Sequence, residues 1–145
     1  MDIKNIDGVV LRTAGGSNLV DDGLFAALRG ADLEEAERMD AYFYEAELQG
    51  SDLQGSDLQG SVLRGAYLYR ADFFGANLTD ADLAQTNLRE ARFWNANLSG
   101  ADFTGADLVG ASFRGAFLAG TGLTPETLDD RGALYDENTK FGVFG

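Results

Sequence analysis

Residues 71–90 read ADFFG-ANLTD-ADLAQ-TNLRE, four five-residue units with Leu or Phe in third place and a small residue in first place. The register extends far in both directions. Counting in fives from Leu28 to Leu123 gives twenty central positions, and nineteen hold Leu or Phe, the exception being Arg38. The residue two before each centre is Ala at fifteen units, Ser at 51, 56 and 61, and Thr at 86 and 121. One register held without insertion over so long a stretch is an internal repeat, and a repeat decides the architecture before local propensity does.

A period of five suits neither standard element. On a helix, residues five apart are separated by about 500° of rotation, so the Leu and Ala positions would smear around the cylinder. On a strand, side chains alternate with period two, so successive centres would land on opposite faces. The backbone must therefore turn once per unit and aim the same two side chains inward each time. Stacked turns of that kind give a solenoid whose coils pair through backbone hydrogen bonds about 4.8 Å apart.

The ADL, ANL and ADF triplets, each followed by two variable residues, resemble the pentapeptide-repeat proteins over residues 26–125. The resemblance implies an all-β fold, a right-handed quadrilateral β-helix with four units per coil. Twenty units would make about five coils, a stack roughly 24 Å long at strand spacing. Four units per coil also sorts the centres into walls. Wall one takes Leu28, Leu48, Leu68, Leu88 and Leu108; wall two takes Leu33, Leu53, Phe73, Phe93 and Phe113. Wall three takes Arg38, Leu58, Leu78, Leu98 and Leu118, and wall four takes Phe43, Leu63, Leu83, Phe103 and Leu123. Three Phe are thus expected to stack along the axis. Gly closes many units, where a tight corner is least costly without a Cβ. Asp before the centre, at 32, 52, 57, 72, 82, 102 and 107, is expected to bond local backbone.

Both ends need caps, because a solenoid otherwise exposes its core. Residues 1–25 read as an irregular N-terminal capping segment: Leu19 and Leu24 are five apart, but Leu28 follows after four. Residues 126–145 read as a short C-terminal capping helix with a tail. Thr124-Pro125-Glu126 supplies a hydroxyl N-cap, Pro at the first helical position and an acid in the first turn. Leu128 is placed to lie over the last coil, and Gly132 to end the helix. The stretch GALYDENTKF at 132–141 is similar to the C-terminal segment of cyanobacterial pentapeptide-repeat proteins, with Gly142 where those often carry Pro. Tyr135 and Phe141 would then cover the top of the core.

Composition excludes several functions. The chain of 145 residues has one-domain length, with 24 acidic and 11 basic residues and a formal charge of −13. Direct nucleic-acid binding and an anionic membrane surface both need the opposite charge. No Cys and no His means no disulfide, thiolate site, imidazole base or imidazole metal ligand, and no metal or cofactor is expected. Residues 1–20 hold no secretory apolar run, and GVVL at 8–11 is too short to span a bilayer, so a cytoplasmic protein is expected. An axis filled with Leu and Phe leaves no catalytic pocket, so no enzyme and no catalytic residue are expected.

Function must then lie on the outside. The expectation is a structural or protein-interaction module of unnamed partner, or a homodimer formed through a solenoid end or wall. The alternative implied by the family is an acidic DNA mimic that binds a type II topoisomerase such as gyrase, for which residues 26–125 carry 15 acids against 7 bases. Outward residues on two adjacent walls form the candidate interaction patch: Tyr67, Tyr69, Arg70, Phe74, Arg89, Arg92 and Trp94. Aromatic residues and Arg are the types enriched in binding hot spots. Phe74 and Trp94, one coil apart, are expected to stack. Arg38 at an inward position must either reach solvent from a distorted first coil or pair with Glu34, Glu35 or Asp40.

Overall fold

A computed structural model of the chain describes residues 3–4, 10–11, 50 and 53–142. Arg38, the centres from Leu28 to Leu48 and nearly all of the N-terminal segment lie outside the described residues. Within that segment, Ile3–Lys4 (β1) pairs antiparallel with Val10–Leu11 (β2), Ile3 opposite Leu11.

From residue 53 onward the period of five becomes a four-sided solenoid. Parallel bridges join residues twenty apart, from Asp57 with Asn77 to Asn97 with Phe117, so four units complete one coil. Each bridge carries two backbone bonds. On wall four, Leu83 N donates to Asp102 O at 2.8 Å, and Asp102 N donates to Ala81 O at 3.0 Å. The walls are rows of single bridges rather than long strands, because only three residues separate one turn from the next.

The turns explain the fifth residue of each unit. The N–H of the small residue donates back to the preceding centre's carbonyl, as Ala81 does to Leu78 at 3.0 Å. The residue between them lies in the left-handed region, as the third place of a type II turn requires. Every fifth position from 50 to 120 has positive φ: ten Gly at 63–76°, and Arg70, Asp80, Gln85, Glu90 and Asn95 at 57–59°. Coil stacking adds a second demand for Gly. The Asn95 side chain lies against Gly115 one coil on, so a Cβ at Gly115 would collide with Asn95 Oδ1. Gly105 stands in the same relation to Gln85.

Every described centre is buried, with Leu123 the most accessible at 5%. The expected Phe column on wall two is present. Phe73 and Phe93 stack at 4.8 Å and 6°, Phe93 and Phe113 at 5.0 Å and 7°. Phe103 from wall four meets Phe93 and Phe113 edge-on at 6.3 and 5.7 Å, the other arrangement aromatic quadrupoles favour. The stacking distance equals the coil spacing, so the backbone ladder and the aromatic column support one another. Hydroxyls at the small position double the turn bond: Ser56 Oγ and Thr121 Oγ1 donate to the preceding centre's carbonyl at 2.7 and 2.6 Å. The buried Ser61 Oγ has no partner.

The C-terminal cap replaces a coil. Helix α1 spans Pro125–Asp130; the Thr124 hydroxyl accepts from Thr127 N, and the Thr127 hydroxyl accepts from Thr124 N. Leu128 stands twenty residues after Leu108 and is fully buried, so α1 fills the next wall-one place. The helix ends in a Schellman arrangement: Gly132, with φ +69°, donates to Asp129 O, and Ala133 N donates to Leu128 O at 2.9 Å. Arg131 Nη2 donates to Phe103 O and Ala106 O, and burial lowers its pKa. The tail then adds two more bridges, Leu134 to Ser112 and Lys140 to Phe117. Tyr135 and Phe141, edge-on at 5.7 Å, pack on the core top as expected.

Leu83→Ala, in the middle of wall four, should lower the unfolding free energy by about 2–5 kcal/mol through the cavity it leaves. Ser61→Ala removes an orphaned hydroxyl and should be neutral or stabilising by about 1 kcal/mol. Urea unfolding of both variants checks the pair.

Candidate interaction surface

Each unit sends two side chains outward, one before its centre and one after, and coil stacking arranges them in columns. The residue before the centre serves the turn. Asp72, Asn77, Asp82, Asn87, Asn97, Asp102 and Asp107 each accept the N–H two residues on, at 2.9–3.2 Å. These are the local backbone bonds expected of Asp at this place, and Asn supplies the same acceptor. At Asp102, the Thr104 hydroxyl and then its N–H donate to the carboxylate and hold its pKa below the ordinary value.

The seven patch residues separate onto two adjoining walls. Tyr67, Tyr69, Arg70 and Arg89 flank wall-one centres. Tyr67 is half exposed; the Arg70 guanidinium sits 5.0 Å from the Tyr69 ring and pairs with Glu90 at 2.7 Å. That pairing raises the Arg70 pKa and, through the same hydrogen bond, lowers that of Glu90. Arg89 pairs with Asp107 at 3.3 Å. Such exposed pairs contribute little to stability, because water and salt screen them.

Phe74, Arg92 and Trp94 lie on wall two, and their contact differs from the expected ring stack. No ring pair joins Phe74 to Trp94. Instead the Arg92 guanidinium lies 5.8 Å from the Phe74 centroid and 4.9 Å from the Trp94 centroid, linking the two. Asp72 fixes it there by accepting from both Arg92 Nε and Nη2. Gln54 donates to the same carboxylate at 3.1 Å. The reason is geometric. Arg92 projects from the column beside Trp94, and Asp72, one coil away, pulls its head between the rings. Trp94 Nε1 donates to Ser112 Oγ at 2.8 Å. Reading the columns one at a time hides this sideways contact.

Sequence reasoning also passed over Arg114. Its guanidinium lies 5.6 Å from the Trp94 ring centroid, extending the series Phe74, Arg92, Trp94, Arg114 along wall two. The signal was its spacing, twenty residues after Trp94. Beside it, Asp136 Oδ1 accepts from Gly115 N at 3.1 Å and Asn138 N at 3.0 Å. Burial would raise the Asp136 pKa, but these donors hold it below the ordinary range. No group of residues able to hold a metal ion occurs among the described residues, and no described helix is long and apolar enough to cross a membrane.

A family model for pentapeptide repeats matches residues 25–60, 41–80 and 76–115. The chain belongs to the pentapeptide-repeat family. Its fold is accordingly the family's right-handed β-helix. Among solved structures, alr5209, a pentapeptide repeat protein from Nostoc PCC 7120, is 30% identical over 79% of this chain and 92% of its own, with a TM-score of 0.55. HetL from Nostoc sp. strain PCC 7120, a pentapeptide repeat protein involved in heterocyst differentiation regulation, is 28% identical over 78% of this chain, with a TM-score of 0.45. The match spans only 56% of HetL. A pentapeptide repeat protein from the Arabidopsis thaliana thylakoid lumen is 26% identical over 73% of this chain and 77% of its own, with a TM-score of 0.39. No curated protein matches the chain.

The turn acceptor Asp102 predicts a pH response. A carboxylate whose folded pKa is lowered adds stability that is present above its unfolded pKa and is lost as pH falls through the folded one. Stability should therefore decline below about pH 4, and Asp102→Asn, which keeps the acceptor without the proton equilibrium, should decline less steeply there. Thermal melts across pH 2–6 test this; identical slopes would remove Asp102 from the account.

Proposed function

We propose that this pentapeptide-repeat module is non-catalytic and binds a protein partner through wall two, with Trp94 at the centre of the docking surface and Tyr67, Tyr69, Arg70 and Arg89 on the flanking wall. One observation carries the reading: the Arg92 guanidinium, anchored by Asp72, already holds the Phe74 and Trp94 rings in place. A partner docking there need not order these large side chains, so little conformational entropy is lost on binding. Phe74 is 39% exposed, and a partner's surface could cover it. The filled axis supports a role without catalysis, since Leu and Phe occupy the interior that the described coils enclose.

The charge pattern speaks for this reading over the DNA-mimic alternative. A duplex mimic needs long unbroken rows of negative charge. Between residues 53 and 123 the coils carry seven acids against five arginines. Four of those arginines pair with an acid of a neighbouring coil. The described walls are therefore close to neutral and finely mixed in sign.

Trp94→Ala should weaken capture of the partner, or self-association if the partner is a second copy, while lowering the melting temperature only modestly, because Trp94 lies outside the axis. Sedimentation velocity and affinity capture from native extract, run beside a thermal melt, decide it. A folded variant that associates as well as the parent protein would overturn the assignment.

A further inference from the structure

Long polar side chains that follow a centre share a contact pattern on this solenoid. Four of them reach the residue before the centre in the next coil, eighteen positions on, whereas the short Thr79 and Thr104 bond the residue before their own centre. Gln54 reaches Asp72 at 3.1 Å, Arg64 reaches Asp82 at 2.9 Å, Arg89 reaches Asp107 at 3.3 Å, and Trp94 reaches Ser112 at 2.8 Å. Both arginines in this set find an acid in that slot.

Arg114 stands in the same kind of position at the end of the rod, and the cap has changed its slot. The next level of wall two is built by the tail, where Leu134 bridges Ser112. An apolar side chain, 51% exposed, thus occupies the place that holds an acid for Arg64 and Arg89. The other described arginines are all engaged: Arg64, Arg70, Arg89 and Arg92 with acids, Arg131 with carbonyls. Among the described residues, Arg114 alone of the arginines makes no hydrogen bond or ion pair. Its guanidinium is not loose, because it lies over the Trp94 ring at 5.6 Å. With Trp94, Asn95, Gly115, Asp136 and Asn138 it lines an open groove of about 310 Å³. Asp136 lines the same groove but makes no ion pair with Arg114; its carboxylate is held toward the tail, with Oδ1 accepting from Gly115 N, Asn138 N and Thr139 Oγ1.

We propose that Arg114 receives a carboxylate from an acidic segment of the partner protein, which completes at the rod's end the pairing that the next coil completes elsewhere. The inference rests on wall two being the docking face and names the chemistry of what docks there. Charge complementarity selects the occupant: an unpaired guanidinium, pre-oriented on an aromatic face, fits a planar carboxylate through two parallel N–H donors. A doubly charged phosphate would bring more repulsion from Asp136. The exposed Leu134 and the partly buried Trp94 offer contact to an apolar residue adjoining the acid.

Trp94 is the only Trp in the chain, so its fluorescence reports on the site directly. A displayed library of random twelve-residue peptides is selected on the full chain, and synthetic copies of the enriched peptides are titrated while Trp94 emission is followed. Enriched peptides should carry Asp or Glu. Replacing that acid by its amide, or making Arg114→Gln, should weaken binding about tenfold or more. Arg114→Lys should recover part of the loss, and Arg64→Gln on wall four, outside the docking surface, should change nothing. Failure to enrich any peptide, enrichment without acids, or equal binding by Arg114→Gln would overturn the proposal, as would tighter binding when phosphoserine replaces the acid. Capture from native extract that depends on Trp94 but not on Arg114 would leave wall two standing and reject the carboxylate. Capture indifferent to both would reject both.

Discussion

The left-handed residue at the end of each unit is the constraint on which the rest of this molecule depends. An L-residue there costs roughly 1–2 kcal/mol, and the fold requires it every five residues. In return the chain changes direction at a fixed interval, so the residue three places on always faces the axis. Ten of the fifteen described corners are Gly, and the five others are long or polar side chains that drape along the corner. Asp80, Gln85, Glu90 and Asn95 each lie against a Gly in the coil above. The corners are therefore packed as pairs, and the identity of one corner limits its neighbour twenty residues away.

The same geometry governs the surface. Coil spacing brings outward side chains of adjacent coils into contact whether or not they suit one another, so sequences on this fold must resolve every column. The described walls do so with alternating sign, Arg64 to Asp82 and Arg70 to Glu90. They also do so by inserting a guanidinium between aromatic rings, as Arg92 does with Phe74 and Trp94. Individually these contacts are weak. Their common effect is to fix side chains that would otherwise be free, giving a rigid patterned face on a backbone with little freedom of its own.

Much of the interior is legible from the sequence because one periodicity determines it. The Leu and Phe centres, the Phe73–Phe93–Phe113 column, the capping role of Thr124 and Gly132 and the burial of Leu128 all follow from counting positions. The surface is less legible, because it depends on two neighbours at once. Counting along one column placed Phe74 next to Trp94; the contact is made sideways by Arg92, drawn across by Asp72. The tail is harder still. Leu134 follows Ser112 by twenty-two residues and Lys140 follows Phe117 by twenty-three, so the spacing that reads the coils does not extend into the cap. Whether the outward residues form a binding site is not encoded in the period at all, since the fold tolerates many side chains there.

A repeat protein whose middle coils pair their outward arginines internally has few unmet charges left to offer a partner there. Unmet demands arise where the repetition stops. At the C-terminal end, α1 fills wall one and the tail fills walls two and three with residues out of the five-residue step, and the pairing rule of the coils lapses. Leu134 in place of an acid is one such lapse, and it leaves an oriented charge and exposed apolar surface side by side. Ends of this kind can be altered without disturbing the ladder beneath them, because each level contacts only its neighbours. Specificity in such a rod is therefore most readily built where the cap interrupts the repeat, with the coils serving as a stiff support that holds those few residues in register.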